Sequence, residues 1–349
     1  MTSAWNPYQI KLFFMLSVAS FFEGFDLLAL TQILPSVREE FGISPSGAGV
    51  MVAVISVGTV LSYALVQASD RYGRRPVMLY TVIGYTVFSA LTGLAPDAIT
   101  FTAMQLVARV FLITEWALAT IYAAEEFPAH SRGKVIGLIQ GVSSIGAIVC
   151  AACVPLLLQT PLGWRSVYFV GTVPLLFVVY ARRGLRDTHR FLSGETRLSE
   201  GRASLLPSMS LLRSAYRFRV GQLALMWATT YAGTQAAITF WKEFATAERS
   251  FSDAEVGQSI ALAAVVSMPL VLASGALLDR IGRKKGALVI YAITALGIFG
   301  SFTCQSKIAL TLSLILSLFG ASAVLPVLNA YTTELFPTHL RGQAFAWCN

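Results

Sequence analysis

Four ionisable residues stand inside otherwise apolar stretches of the chain. Glu23 and Asp26 lie three residues apart in the first stretch, and Arg109 and Glu115 lie six residues apart in the fourth. An ionisable group at membrane depth costs a few kcal/mol, so it is a candidate for function. A guanidinium offers two parallel donors to a carboxylate, and burial disfavours the charged form of a carboxyl group. These residues could therefore bind an organic anion together with a proton.

Their depths indicate that two of them meet. Asp26 lies eight residues before Leu34, where the first stretch ends, and Arg109 lies eight residues after Phe101, where the fourth begins. At about 1.5 Å per residue, both sit roughly 12 Å from the same membrane surface. Glu23 and Asp26 share one helix face, whereas Arg109 and Glu115 are about 120° apart, so one of the second pair is expected to face a cavity. A buried ion pair that only joins the two helices is the alternative.

The elements that carry these residues are predicted to be membrane-spanning helices. Hydrophobic residues make up 55% of the 349 positions and charged residues 13%, about half the usual charged share. A soluble helical protein would show polar stripes at helical spacing, and these stretches are apolar all round. A span needs roughly 20 apolar residues. The sequence predicts ten, near 12–34, 47–67, 77–95, 99–123, 135–158, 166–181, 220–241, 256–278, 287–303 and 308–331.

The basic residues predict the orientation. With the N-terminus inside, the inner loops hold 20 lysines and arginines and the outer loops hold five: Arg38, Arg165, Lys242, Arg249 and Lys307. This positive-inside bias predicts a multi-pass protein of the cell (inner or plasma) membrane with a cytoplasmic N-terminus. It also accounts for the net charge of +8 without a nucleic-acid partner. The four cysteines show no metal-ligand spacing, and neither a metal nor a cofactor is predicted.

Two motifs recur with one offset, which predicts an internal repeat. The loop Asp70–Arg75 recurs as Asp279–Lys284, and the segment Glu125–Gly133 recurs as Glu334–Gly342, each 209 residues later. Two spans follow the second motif in the first copy, while the sequence stops at Asn349, so we expect a twelve-helix protein truncated after about ten. The predicted domains are an N-terminal six-helix half, 1–182, a cytoplasmic linker, 183–217, and an incomplete C-terminal half, 218–349. Apolar and polar residues alternate in the linker, as in a helix on the membrane surface.

The repeated Asp-Arg-x-Gly-Arg-Arg loop resembles the loop motif of the major facilitator superfamily. The resemblance covers the whole chain and implies an all-α membrane fold of two six-helix halves working by alternating access. One departure is Val66, where the family usually has a glycine that Gly275 supplies in the second copy. The resemblance implies cytoplasmic gates at Asp70, Arg71, Gly73, Arg74, Glu125, Arg132, Asp279, Arg280, Gly282, Arg283, Glu334 and Arg341.

Neutral polar residues in other spans are further candidates. The seventh span carries Trp227, Tyr231 and Thr234 or Gln235 on one stripe, and Gln235 is the repeat counterpart of Asp26. Such residues also serve helix packing. The resemblance implies that helices 1, 4, 7 and 10 line the central cavity, which favours Gln235 and Asn329. The predicted substrate and proton residues are Glu23, Asp26, Arg109, Glu115, Gln140, Tyr231, Gln235 and Asn329.

Two segments point to a substrate class. The stretch Glu23–Asp26 resembles the Asp-Gly-x-Asp motif of the aromatic acid:proton symporters, with Glu in place of the first Asp. The segment Thr114–Trp116, followed by Glu125–Pro128, resembles the metabolite and short-chain acid:proton symporters, with Ile113 and Thr114 in place of two glycines. Both resemblances imply carboxylate substrates.

The predicted function is therefore proton-coupled symport of a small organic anion. Arg109 would bind the carboxylate, and Asp26 or Glu23 would take the coupling proton. The predicted partners are a small-molecule substrate, protons and the lipid bilayer, and the predicted state is a monomer. One alternative is transport of an uncharged or cationic solute or drug, and another is a non-transporting membrane sensor or fragment. An enzyme is not expected, because the sequence shows no hydrolase elbow, phosphate-binding loop or metal constellation.

Overall fold

The computed structural model describes residues 5–172 and 216–334, and within these ranges the side chains of some helical residues are not described. The described regular structure is helical throughout, as predicted. Ten helices follow the ten predicted spans: α1 Pro7–Phe41, α2 Pro45–Tyr72, α3 Arg74–Thr92, α4 Ala98–Glu126, α5 Ala129–Leu157, α6 beginning at residue 165 and described to 172, α7 Arg217–Arg249, α8 Asp253–Ile281, α9 Arg283–Thr303 and α10 Lys307–Glu334.

The helices extend a few residues beyond the apolar stretches. Helix α1 begins at Pro7, where the Asn6 side chain accepts a hydrogen bond from the Gln9 amide at 2.7 Å, because a helix needs polar groups for its first free amides. Helix α7 continues to Arg249. Lys242, which the sequence analysis counted with a loop, therefore lies inside α7, where it is 3% exposed and paired with Asp253 at 2.7 Å.

Apolar segments long enough to cross a bilayer occur in five of the helices within the described residues. They are Pro7–Phe41, Pro45–Ser69, Ala98–Ala123, Lys284–Thr303 and Lys307–Val324, and Gly141–Leu157 is apolar but shorter. A helix that crosses a bilayer needs roughly 20 residues. All five segments are close to this length or longer. The described part of the chain thus has the features of a multi-pass membrane protein.

The chain forms two compact units, and the first comprises residues 1–203. In this unit α1 packs along α5, and α4 packs against α2 and α3 as well as α1. Gly24 of α1 lies against the backbone of Ser143, and Gly146 of α5 lies against the backbone of Phe21, so closely that neither site has room for a Cβ atom. Small residues allow membrane helices to approach in this way. The close contact fixes the part of α1 that carries Glu23 and Asp26.

The second unit comprises residues 204–349. Helix α10 packs against α7, α8 and α9 and forms the centre of the unit. Its contact with α9 is lined by small polar residues, and the Ser301 and Ser317 hydroxyls are 3.1 Å apart. A buried apolar cluster built on Trp227, Ile290 and Leu328 joins α7, α9 and α10. This packing holds the stripe of α7 that carries Tyr231 and Gln235.

The repeat inferred from the motifs is visible in the backbone. Gly73, between α2 and α3, has φ 102° and ψ 149°, and Gly282, between α8 and α9, has φ 85° and ψ 155°. This region of backbone space is open essentially to glycine alone. The two motif glycines therefore make the same turn at equivalent places in the two units.

Several predictions fall outside the described residues. They are the part of the sixth span after residue 172, the linker 183–217 up to residue 215 with its surface helix, and the residues after 334, which include Arg341.

Candidate functional site

Helices α1 and α4 bring the four predicted ionisable residues into one place in the first unit. Arg109 lies within electrostatic range of both Asp26 and Glu23, and Glu23 lies within range of Glu115. We call Glu23, Asp26, Arg109 and Glu115 the acid–arginine cluster. It contains one guanidinium and three carboxyl groups, all contributed by one compact unit.

The members of the cluster differ in burial. Glu23 and Glu115 are each 7% exposed, whereas Asp26 and Arg109 are partly exposed. The Glu115 carboxylate accepts a hydrogen bond of 2.8 Å from the Thr81 hydroxyl of α3. Glu115 is therefore held in the interior against α3, and Asp26 and Arg109 are the members of the cluster that keep some exposed surface.

A buried neighbour of Asp26 is a residue that the sequence analysis missed. Tyr85 of α3 lies within electrostatic range of the Asp26 carboxylate. Thr81, Tyr85 and Ser89 lie four residues apart on one face of α3 and are each at most 5% exposed. That spacing is a buried polar stripe, and it was overlooked because none of the three carries a charge. Helix α3 is therefore not apolar all round.

Two buried atoms of the cluster have no hydrogen-bond partner within the described residues. They are Oε2 of Glu23 and Nε of Arg109. With every group ionised the cluster would carry a formal charge of −2, from three carboxylates and one guanidinium. Like charges held at low dielectric resist simultaneous ionisation. The arrangement is thus suited to take up protons or a cation, and its guanidinium is suited to hold an anion.

The second unit contributes aromatic and neutral polar groups on α7. The rings of Trp227 and Tyr231 are stacked with an interplanar angle of 12° and centroids 5.6 Å apart. Trp227 is buried, while Tyr231 is 39% exposed and Gln235, one turn further, is also exposed. Thr234 is buried and donates to the Thr230 carbonyl at 2.8 Å, so it serves the helix itself. Of the predicted stripe, Tyr231 and Gln235 are the accessible members.

The two motifs of the first copy meet through an ion pair. Arg74, at the start of α3, lies 3.2 Å from Glu125 at the end of α4 and donates to the Ser69 hydroxyl of α2 at 3.1 Å. Arg74 is 5% exposed. Nearby, the Gln9 side chain donates to the Glu126 carbonyl at 2.9 Å, which ties α1 to the same end of α4. The contacts of Arg74 therefore join the end of α2, the start of α3 and the end of α4 within the first unit.

For most of the remaining predicted residues, the structure does not describe the side chain. Arg280 is exposed at the end of α8. The side chains of Asp70, Arg71, Arg132, Gln140, Asp279, Arg283, Asn329 and Glu334 are outside the description, as is Arg341. Within the described residues, no group of three or more His, Cys, Asp or Glu side chains is arranged to hold a metal ion.

Comparison with known proteins gives a family and several relatives. A family model described as Major Facilitator Superfamily matches residues 16–349. A probable 4-methylmuconolactone transporter from Cupriavidus pinatubonensis is 26% identical over 97% of this chain and 79% of its own length. A sialic acid transporter from Escherichia coli is 24% identical over 98% of this chain and 84% of its own. Among solved structures, a D-xylose-proton symporter superposes with a TM-score of 0.76 at 18% identity, covering 97% of this chain and 86% of that one.

Proposed function

The chain belongs to the major facilitator superfamily, and from that premise we propose that it is a proton-coupled symporter of a small organic anion. Membership makes it a multi-pass membrane transporter of small molecules rather than an enzyme. The family is the one predicted from the repeated loop motif. The substrate class, the coupling ion and the roles of individual residues are our proposal.

The observation that carries the proposal is the composition of the acid–arginine cluster. One guanidinium stands among three carboxyl groups, two of them almost fully buried. An anion approaching the fully ionised cluster would meet a net negative charge. Protonation of the carboxyl groups removes that repulsion and leaves the guanidinium free to attract the anion. Anion binding and proton binding therefore favour each other, which is the thermodynamic requirement for symport.

The exposure of the residues supports a division of roles. Arg109 is partly exposed and carries the planar donor pair that recognises a carboxylate in two parallel hydrogen bonds. Asp26 lies within electrostatic range of Arg109, and we propose that it takes the coupling proton. Glu23 and Glu115 are buried, and we propose that they set the charge of the cluster without contacting the substrate. Tyr231 and Gln235 are the residues of α7 that we propose contact the substrate, and Gln140 and Asn329 remain candidates.

The relatives support an organic acid as the substrate. A sialic acid transporter and a probable transporter of 4-methylmuconolactone align along nearly the whole of this chain. Both resemblances seen in the sequence imply carboxylates as well. We therefore propose a small carboxylate, including aromatic acids, as the transported species.

A cationic solute is the second candidate, because a cluster with more carboxyl groups than guanidinium groups also suits a cation. In that case the acids would bind the solute, and Arg109 would pair with them. The proton would then be exchanged for the solute rather than carried with it.

We further propose the remaining features of the transporter. The split of 20 inner and five outer basic residues supports a cytoplasmic N-terminus in the cell membrane. The buried pair of Arg74 and Glu125 supports a gating role for the two repeated motifs. We also propose the domain division at 183–217 and a monomer.

Transport by the full chain in proteoliposomes tests the proposal. We expect an inward proton gradient to drive uptake of members of a panel of labelled aliphatic and aromatic carboxylates, including benzoate and sialic acid. A protonophore should abolish accumulation, and organic cations should not compete. Uptake of an organic cation driven by an outward proton gradient would replace the anion proposal with the cation candidate.

A further inference from the structure

Basic side chains are concentrated where α7 and α9 begin, at one end of the second unit. Four exposed basic residues lie in the first turns of these two helices: Arg217, Arg219, Lys284 and Lys285. We call them the basic rim. The two helix starts are neighbours, because α7 packs against α9, and Val220 and Ala287, close to the two starts, belong to one buried cluster. The four charges therefore lie on one surface of the unit.

The stability of the two helices does not account for these charges. The start of a helix carries a partial positive charge, which favours acidic side chains and disfavours basic ones. Neither α7 nor α9 has an acidic residue in its first turn. In contrast, α8, which begins beside the end of α7, has Asp253 and Glu255 in its first turn. The cations of the basic rim therefore oppose the helix dipole, and an anionic partner would offset that cost.

The internal repeat indicates that orientation in the membrane does not account for them either. The positive-inside bias places basic residues on one side of the membrane but on no particular helix. Within the described residues, the exposed basic side chains at the equivalent end of the first unit are Lys11 and Arg75. Three rim residues correspond to uncharged residues 209 positions earlier: Arg217 to Tyr8, Arg219 to Ile10 and Lys285 to Pro76. The concentration of charge at α7 and α9 is therefore not inherited from the repeated scaffold.

An exposed apolar stripe runs along α9 from the basic rim. Its main members are 41% to 70% exposed: Leu288, Val289, Leu296 and Phe299. They lie within about 100° of one another around the helix, and Lys285 lies within the same sector one turn before Leu288. The apolar segment Lys284–Thr303 is long enough to cross a bilayer. A lysine at the end of such a stripe places its ammonium at the depth of the lipid headgroups.

The start of α7 combines charge with an exposed aromatic ring. Phe218 is 72% exposed and lies between the two arginines of the rim. The guanidinium of Arg217 lies 5.0 Å from the centroid of the Phe218 ring, and that of Arg219 lies 5.7 Å from the centroid of the Tyr216 ring. Such a segment suits the boundary between headgroups and acyl chains, where the ring is covered and the charges meet phosphate. A water-soluble anion would leave the Phe218 ring in contact with water.

We propose that the basic rim and the apolar stripe of α9 together bind an anionic phospholipid. The cations at the starts of α7 and α9 hold the phosphate through charge-assisted hydrogen bonds, and an acyl chain lies along the stripe. One leaflet contributes roughly 15 Å of hydrocarbon, or about ten residues of helix, so the chain extends from Leu288 to about Leu296. The proposal goes beyond the proposed function, because it holds whichever solute is transported.

Fluorescence quenching by spin-labelled lipids tests the site without any transport. In the full chain on a cysteine-free background, Val289→Cys carries the fluorophore beside the rim. Phosphatidylglycerol and phosphatidylcholine, each with a nitroxide on an acyl chain, are titrated into mixed micelles. We expect phosphatidylglycerol to quench at a mole fraction about twentyfold lower. Arg217→Gln and Lys285→Gln should each reduce this preference about fivefold, the effect of one cation near an anionic headgroup.

Two matched controls separate this site from a general attraction of basic proteins to anionic lipid. Lys307→Gln removes an exposed cation beyond the far end of α9 and should leave the preference unchanged. Tyr80→Cys, 69% exposed, places the fluorophore at the repeat counterpart of Val289, where we expect a preference at least fivefold smaller.

Four results would overturn the proposal. Equal quenching by the two lipids at residue 289 would show that the rim does not select an anionic headgroup. An equal preference at residue 80 would show that it reflects only the charge of the whole protein. Quenching by neither lipid would show that protein covers the stripe. Loss of the preference in the presence of free glycerol phosphate, at unchanged ionic strength, would assign the rim to a water-soluble anion.

Discussion

Replacing Arg109 separates a substrate-binding role from a structural one. Arg109 faces two carboxyl groups of α1, and one of them, Glu23, is 7% exposed with Oε2 unbonded. Arg109→Ala removes the positive charge that faces these carboxyl groups, and leaving a buried charge without its compensating charge costs about 3–5 kcal/mol. That is a large part of the roughly 5–15 kcal/mol that stabilises a typical domain. We expect a low yield of folded protein and no uptake.

Arg109→Lys is the conservative member of the series. It keeps the charge but loses the two parallel donors, so carboxylate binding should weaken by about 1–3 kcal/mol, or roughly five- to hundredfold in affinity. Arg165→Lys is the matched control, since Arg165 pairs with Glu40 at 2.6 Å outside the cluster. The control should leave the apparent affinity unchanged. The measurement is competition by carboxylates in proteoliposomes with an imposed proton gradient.

The double variant Arg109→Ala with Asp26→Ala decides between the roles. Removing Asp26 as well takes away one of the two carboxyl groups that lost the guanidinium, so the yield and thermal stability should recover in part relative to Arg109→Ala, with Glu23 still uncompensated. Uptake should not recover, because the group that binds the substrate is still missing. If this double variant regained gradient-driven uptake, Arg109 would be part of a structural ion pair, and the ligand role would be wrong.

Three further predictions concern features outside the cluster. In a cysteine-free background, Gln305→Cys should react with an impermeant maleimide added outside and Tyr72→Cys, at a site 74% exposed, should not. Gly73→Ala should lower the free energy of unfolding by about 1–3 kcal/mol, because φ is 102° at this position and residues with a Cβ atom rarely adopt that angle. The Lys307 ammonium, 2.6 Å away, and the Ser252 amide lower the pKa of Glu255 to about 2. The pair therefore stabilises the fold above pH about 4.5 and is lost as the pH falls towards 2, and Lys307→Gln should return the carbon-13 NMR titration of Glu255 towards that of a free Glu.

Each of these has a result that would contradict it. Labelling of Tyr72→Cys but not Gln305→Cys from outside would reverse the orientation. A stability loss in Gly49→Ala as large as in Gly73→Ala would show that the backbone angle is not the cause, since Gly49 is helical with nothing within 4 Å of an added Cβ atom. An unchanged Glu255 titration in Lys307→Gln would mean that the ion pair does not form in solution.

Much of the fold could be predicted because membrane burial leaves a strong signal in composition. Long apolar runs predict the helices, and the two motifs at an offset of 209 residues predict the repeat that Gly73 and Gly282 show in the backbone. Helix ends were less predictable, because a helix continues into polar residues beyond the apolar run. Lys242 illustrates this. It belongs to α7, its side chain is buried, and its ammonium pairs with Asp253 at the start of α8.

The candidate site could be predicted only where it is charged. A charge in an apolar run is conspicuous, and Glu23, Asp26, Arg109 and Glu115 were all identified in this way. The proximity of Asp26 and Arg109 also followed from their equal depth, but the neutral residues around the cluster did not. Tyr85 is neutral, and hydroxyl groups are common in membrane helices that merely pack together. The period of four between Thr81 and Tyr85 predicts a polar stripe, yet the sequence does not say which helix the stripe faces.

The repeat itself shows why the ionisable groups gather in one unit. At the offset of 209 residues, Glu23, Arg109 and Glu115 correspond to Ala232, Leu318 and Val324, while Asp26 corresponds to Gln235. Both copies keep the same turn glycine, so the scaffold has been retained while the charges have not. Each charge held at membrane depth costs a few kcal/mol, and the cost falls when opposite charges can pair within one packed unit. A cluster built from α1 and α4 alone can therefore pair its charges within the packing of the first unit.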